Sequence, residues 1–412
     1  MSFATFKLSK PIQEAIKKQG FTKPTAVQTE VIPFVLQGHD LMVQAQTGSG
    51  KSASFVLPLL ELWSHDIPKG KPKVNTLILT PTRELSLQVA ETFNQLSERL
   101  DKKPKIVSLI GGEGIGNQLY DIQQGCDIIV ATSGRLLDVL SKKQLYLNHI
   151  KHFILDEADK MLNLGFTQEL EQILELLPKK RQNLLFSATY PTKIIEIIKK
   201  ITTTAQHITI EGQATTVENI KQRVIEVNPE NRGPLLRHLL KSHPWQSVMV
   251  FMANKRATDN IADKFRKKGF KADSLHGDLS QEDRNYTLKA FRDKKFRILF
   301  TTDIASRGLD IDDISCVINF DLPRSPADYI HRIGRTGRAG KSGLAISFIG
   351  HEEANHFKLI EKRAHIKLDR EQISGFELLG DAPKKSKGPA PVKGKKKSKK
   401  DKLREQALKN GK

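Results

Sequence analysis

Ala45-Gln46-Thr47-Gly48-Ser49-Gly50-Lys51-Ser52 decides how the rest of the chain is read. It follows Asp40-Leu41-Met42-Val43, an apolar run with the length of a buried strand, and it leads into Ala53-Ser54-Phe55-Val56-Leu57, which can open a helix. Strand, glycine-rich loop and helix in that order make a phosphate cradle. The glycines let backbone N–H groups approach a triphosphate at a helix N-terminus, Lys51 reaches its β and γ oxygens, and the Ser52 hydroxyl can ligate Mg²⁺. Ala45 stands where the general pattern has Gly.

Outward from this loop, short apolar runs alternate with stretches of helical spacing. The strand candidates of the first half are 40–44, 75–80, 105–110, 127–131, 153–155, 183–186 and 207–210, with helical spacing over 84–100 and 167–177 among others. Such alternation implies a parallel sheet covered by helices on both faces. Residues 212–218 turn polar and lack an apolar period, which marks a linker. A second set follows at 221–227, 247–251, 271–275, 297–301, 316–320 and 343–348, then a helix near 351–364. These boundaries give domains 1–211 and 219–370 and a basic tail 371–412, whose composition collapses into Lys, Gly, Pro and Ser from about Asp381. The tail is expected to be disordered, since it has too little apolar surface to fold alone. The second half has no phosphate loop of its own, so it is expected to complete the first one's site across a cleft.

The 412 residues carry a formal charge of +21, and residues 381–412 hold 13 Lys and Arg against 3 Asp and Glu. Without the tail the body is still basic, so a polyanion such as nucleic acid is the natural partner; basicity serving solubility alone is the competing reading. Cys126 and Cys316 lie in apolar surroundings and read as buried thiols of a reducing compartment, which points to the cytoplasm. No apolar run is long enough for a membrane span, and the N-terminus has no apolar leader core.

Two further strings carry chemistry. Phe153-Ile154-Leu155 ends in Asp156-Glu157-Ala158-Asp159, where one carboxylate can hold Mg²⁺ and the next can orient or deprotonate a water. The same quartet also suits a helix N-terminus favoured by its dipole. His331-Arg332-Ile333-Gly334-Arg335-Thr336-Gly337-Arg338 interrupts three arginines with glycines. Arg335 and Arg338 can act as arginine fingers on a γ-phosphate, or they can bind a nucleic-acid backbone.

With these strings in order, the chain resembles the DEAD-box RNA helicases from Phe3 to about Phe348. The family's motifs stand as Phe21 with Pro24-Thr25 and Gln28, AQTGSGKS at 45–52, PTREL at 81–85, Gly111-Gly112, ATSGR at 131–135, DEAD at 156–159 and SAT at 187–189. They continue as VFMA at 250–253, Gln281 to Arg284, TDIASRGLD at 302–310 and HRIGRTGR at 331–338. The basic tail and short N-terminal extension are similar to the bacterial RhlE-like branch. The resemblance implies two tandem RecA-like domains and an RNA-dependent ATPase that unwinds short duplexes, with ATP and Mg²⁺ as cofactors.

It also implies roles. Phe21 stacks on adenine, Gln28 reads it, and Thr47, Gly48, Ser49, Gly50, Lys51, Ser52 and Asp310 hold the rest of ATP. Lys51, Asp156, Glu157, Arg335 and Arg338 are catalytic, with Glu157 as general base and Ser52 and Asp156 around Mg²⁺. Ser187, Thr189, Asp159 and His331 couple nucleotide state to closure. Arg83, Gly112, Thr132 and Arg135 from the first domain, with Phe251, Gly277, Arg284 and Thr302 from the second, contact the RNA sugar-phosphate backbone. Such contacts carry no base identity, so RNA is bound without regard to sequence. Ribosomal precursors and RNA-decay machinery are candidate settings, and a monomer with no membrane partner is expected.

Ser133 replaces the usual Pro of the TPGR string, which bears on one local turn; Ser52 replaces a commoner Thr and Ser306 a frequent Ala. His351-Glu352-Glu353-Ala354-Asn355-His356 only imitates a zinc signature, because histidines five apart point about 140° from each other on a helix. Two rival functions share the motifs: an ATP-gated RNA clamp or remodelling scaffold with little unwinding, and a DNA-translocating helicase.

Overall fold

The computed structural model describes residues 2–45, 48–67, 70–190, 192–202, 204–210, 220–306, 311, 314–337, 342–364 and 366–380. The linker 212–218, the tail from 381 on and the site candidates Thr47, Asp310 and Arg338 lie outside the described residues. The rest builds two seven-stranded sheets in which every pairing is parallel.

In chain order, the first sheet comprises β1 Leu41–Gln44, β2 Thr76–Leu79, β3 Ile106–Leu109, β4 Ile128–Ala131, β5 His152–Leu155, β6 Gln182–Ser187 and β7 Gln206–Thr209. The second comprises β8 Ile220–Glu226, β9 Val248–Phe251, β10 Ala272–Leu275, β11 Ile298–Thr301, β12 Cys316–Asn319, β13 Gly343–Ile349 and β14 Arg370–Glu371. The orders are β3-β4-β2-β5-β6-β1-β7 and β10-β11-β9-β12-β13-β8-β14. One permutation thus serves both, and the second domain repeats the first strand for strand. β2, β4 and β6 are buried along their whole length, as are β9, β11 and β12. This explains why they read as continuous apolar runs rather than alternating ones.

Helices cover both faces. α1 Lys10–Lys18, α2 Ala26–Leu36 and α3 Lys51–His65 pack with α4 Arg83–Ser97 on one side of the first sheet, where Phe55 and Phe186 meet at 5.2 Å. α5 Ile115–Gln123, α6 Ser133–Ser141, α7 Ala158–Asn163, α8 Thr167–Glu175 and α9 Thr192–Ile201 serve the other side. The two cysteines are buried and free, as expected, and burial pushes the Cys126 thiol up to about 12.

The tail boundary expected at 371 is wrong. Strand β14, which the sequence reading missed, takes the seat that β7 has in the first sheet, and the chain beyond it packs on the second domain. Glu371 pairs with Arg223, the Phe376 ring lies 5.5 Å from His238, and Leu379 exchanges backbone hydrogen bonds with the Asn228 side chain. A two-residue strand has no periodicity to detect, and only a partner strand identifies it. Ending the chain after residue 370 should therefore cost about 2 kcal/mol of second-domain stability, roughly the burial of one aromatic side chain. Ending it after 380 should leave thermal unfolding unchanged, as differential scanning calorimetry of the two truncations can check.

Candidate functional site

Although Phe21 to Gln28 and Arg335 follow helices, α1 and Pro326–Ile333, most of the motif loops follow strand C-termini, where a parallel sheet turns its ligand-binding edge outward. A cleft of about 460 Å³ lies there, lined by Phe21, Gln28, Gly48, Gly50, Lys51 and Ser52 of the first domain's start, by Asp156 and Glu157, and by Arg335 of the second domain.

Each wall has a local cause. Gly20, at φ 75°, ends α1: its N–H donates to Lys17 and that of Phe21 to Ile16, which turns the Phe21 ring toward the cleft, where it is 38% exposed. Thr25 and Gln28 form a capping box at the start of α2, with Thr25 N donating to Gln28 Oε1 at 3.0 Å. The same carboxamide donates through Nε2 to Gly50 O at 3.3 Å. Gly50 has φ 89°, and a Cβ there would lie 2.7 Å from Gln28 Nε2, so glycine is required on both counts. Lys51 opens α3 buried, its ammonium donating to Ala45 O at 3.1 Å across the loop.

Asp156 and Glu157 follow β5 at a left-handed turn, with Glu157 at φ 52°. Burial pushes Asp156 up to about 6, against the pull of Lys51. Burial acts on Glu157 in the same sense, but Lys160, Lys51 and Arg335 together bring it below the ordinary carboxylate value. Lys160, a residue the sequence reading missed, donates to Glu157 Oε1 at 2.5 Å with both side chains buried. No local pattern pointed to it, because Glu157 caps α7 in a left-handed turn and the helical i,i+3 relation does not extend to it. Glu157 Oε2 is buried without a hydrogen-bond partner among the described residues.

The coupling candidates meet. Thr189 donates through N and Oγ1 to Asp159 Oδ2 at 3.1 and 3.0 Å, while Ser187 Oγ accepts from Asp159 N at 3.3 Å. His331 of the second domain is part-buried beside Lys160, Asp159 and Arg335. Arg332 lies 4.8 Å over the Phe251 ring and forms a fork with Asp303.

A second groove of about 490 Å³ gathers Arg83, Thr132, Arg135, Gly277 and Arg284, again from both domains. Gly112, at φ 80°, lies so close to Arg83 that a Cβ would overlap the guanidinium. Arg135 is held by Gln118 at 3.0 Å and Glu113 O at 2.9 Å. Two expectations change. Phe251 is fully buried beneath Arg332, so its ring cannot meet RNA. Thr302 is buried and does not line the groove. Arg284 lines the groove and also forms a buried ion pair with Glu84 at 2.6 Å across the domain boundary, beside an Arg83 to Gln281 bond of 3.3 Å. Ser133 still opens α6, although its buried hydroxyl finds no partner among the described residues. His351 and His356 bond separate carbonyls, of Leu379 and Pro323, and among the described residues no three or more His, Cys, Asp and Glu side chains gather as a metal site. No helix of the described residues is long and apolar enough to cross a membrane.

Comparison with known proteins gives the family. The DEAD/DEAH box helicase family matches residues 25–197 and the helicase conserved C-terminal domain matches residues 232–340. The chain is 39% identical over 370 residues to the DEAD-box ATP-dependent RNA helicase CshA of Bacillus subtilis, covering 90% of this chain and 74% of that one. Among solved structures it resembles S. cerevisiae Dbp5 bound to RNA and ADP BeF3, with TM-score 0.80, 31% identity, and 90% and 95% of the two chains covered. Mss116p bound to ssRNA and AMP-PNP gives TM-score 0.81 at 27% identity, over 90% and 78%. The curated relative carries the CshA name, so the RhlE-like branch rests on the basic tail and the short N-terminal extension alone.

Burial and the neighbouring Lys160 and Arg335 hold His331 down at about 4, from an ordinary value of 6.5. An imidazole harder to protonate in the closed arrangement favours closure above about pH 6.5 and opposes it as the pH falls toward 4. Interdomain fluorescence transfer should decline over that window, and His331→Gln should flatten the decline.

Proposed function

Because the chain belongs to the DEAD-box ATP-dependent RNA helicases, we propose that ATP fills the cleft walled by Phe21, Gln28 and residues 48–52, and that RNA lies along the groove of Arg83, Thr132 and Arg135. Arg335 carries this reading, as a second-domain cation on the wall shared by Lys51, Asp156 and Glu157. The pocket is complete only when both domains close, which couples nucleotide chemistry to the grip on RNA.

Gln28 spends one acceptor position on Thr25 and one N–H on Gly50, leaving one of each. That pair matches adenine N6 and N7, whereas guanine offers the opposite pattern. Lys51 neutralises the β and γ phosphates. Glu157 is the general base: Lys160 keeps it ionised and oriented, and its second oxygen is available to take a proton from the attacking water. Arg335, joined in this proposal by Arg338, stabilises charge spreading over the transferred phosphoryl group. A hydroxyl and a buried carboxylate are hard oxygen donors of the kind Mg²⁺ takes, so Ser52 and Asp156 would hold it. When bound, it would lower the charge between the β and γ phosphates.

Ser187, Thr189, Asp159 and His331 relay the phosphate state to the domain boundary. The groove residues bind phosphates and hydroxyls, so the RNA is bound without regard to sequence. We assign domains 1–211 and 219–380, a cytoplasmic monomer, and ribosomal precursors or decay intermediates as substrates. The buried Glu84 to Arg284 pair favours a long-lived closed state and so supports a second reading, an ATP-gated clamp; a duplex-unwinding assay separates the two.

Lys51→Ala should abolish ATP turnover. Glu157→Gln should retain ATP-dependent RNA binding while turnover falls by about 10²–10⁴-fold; steady-state hydrolysis near wild type would overturn the base assignment. Deleting residues 381–412 should weaken RNA binding and flatten its salt dependence, measured by anisotropy titration at several ionic strengths, and an unchanged slope would remove the tail from the binding surface.

A further inference from the structure

The sheet loops of both sites in the first domain lie at strand C-termini, and neither site accounts for the opposite edge of the first sheet. That edge consists of segments 70–75, 99–105, 124–127, 142–151 and 178–181. Backbone bonds set them side by side: Asp127 N donates to Lys105 O at 2.9 Å, Asn75 N to Asp127 O at 2.9 Å, Lys151 N to Asn75 O at 2.7 Å and Gln182 N to Lys151 O at 2.8 Å. Residues 1–210 hold 25 Lys and Arg against 20 Asp and Glu, and these five segments alone hold 12 against 2. The remainder of the domain is therefore acidic, with 13 against 18. Charge serving only solubility would be interspersed, but here it is gathered on one edge.

Lys142 and Lys151 pair with Asp138 and Asp66, whereas exposed Lys71, Lys73 and Lys143 enter no ion pair among the described residues. Lys71 and Lys73 line a cleft of about 340 Å³, with Ile122, Cys126 and Leu145 among its apolar lining. Tyr146, 66% exposed, lines it too, and Lys143 lies three residues before it in the chain. An apolar recess beside a solvent-facing phenol, flanked by ammonium groups, suits a nucleobase with its phosphates: stacking on an aromatic ring tolerates any base, and lysines neutralise the backbone. An acidic protein would use the lysines but has no need of the recess. The strands between the two edges are four to six residues long, so the edges lie about 15–20 Å apart.

The geometry points to a second RNA-binding surface on this edge, where a single-stranded flank of the RNA held in the groove lays its phosphates on Lys71, Lys73 and Lys143 and stacks a base on Tyr146. The inference depends on RNA being the substrate. Its test uses the full chain carrying Lys71→Glu, Lys73→Glu and Lys143→Glu together, the three Gln substitutions as a milder set, or Tyr146→Ala. Each is titrated with two fluorescein-labelled oligoadenylates, one just spanning the groove and one with a long single-stranded extension.

All variants should bind the short RNA, and hydrolyse ATP with it, as wild type does. The charge-reversed protein should bind the long RNA about tenfold more weakly, with a salt slope shallower by roughly two for three lost phosphate contacts. Tyr146→Ala should lose several-fold with no change in slope. Wild-type affinity and slope for the long RNA in every variant would overturn the proposal. So would ultraviolet cross-linking that places the long RNA nowhere in 142–151, which would leave the edge to an acidic protein. Wild-type protein that hydrolyses no ATP with the short RNA would instead overturn the helicase reading.

Discussion

The structure depends on keeping a knot of charge dry. Lys51, Asp156, Glu157, Lys160 and Arg335 are all buried in one place, and an isolated ion in such a setting would cost several kcal/mol. They are tolerable because each faces an opposite charge, and three cations against two carboxylates leave the knot positive. That sign suits a triphosphate, which brings more negative charge than the pocket can supply. The same excess lowers Glu157 while burial raises Asp156, so two adjacent carboxylates acquire different proton affinities from one environment.

Two domains are needed to close this knot. The phosphate loop and the acidic turn follow strand C-termini of the first sheet, and Arg335, which follows the helix Pro326–Ile333 of the second domain, lines the same cleft. The Glu84 to Arg284 pair makes the boundary itself a buried salt bridge. Removing one partner of such a pair by substitution costs about 3–5 kcal/mol, because the other charge is left buried and unpaired.

Much of this was legible in the chain. Thirteen of the fourteen strands were found because buried parallel strands are apolar runs bounded by helical stretches, and β14 was missed because two residues have no pattern. Gln28, Lys51, Asp156, Glu157 and Arg335 were found through ordered strings, and all five line one cleft. Lys160 was overlooked because one lysine in a polar helix start looks solvated until its partner is known. Phe251 and Thr302 were placed on RNA because the family resemblance implied it, and their burial is set by packing that no local pattern records.

The sequence alone determined the chemistry and the class: a phosphate loop on a parallel sheet, acidic and arginine strings in order, and a basic chain suited to a polyanion. These are local properties, set by residue type and by spacing within one turn or strand. The tertiary structure alone decided which side chains neutralise one another. Whether an arginine contacts ligand, core or the other domain depends on residues some two hundred positions away, as Glu84 and Arg284 are, and burial sets that choice where no local pattern records it.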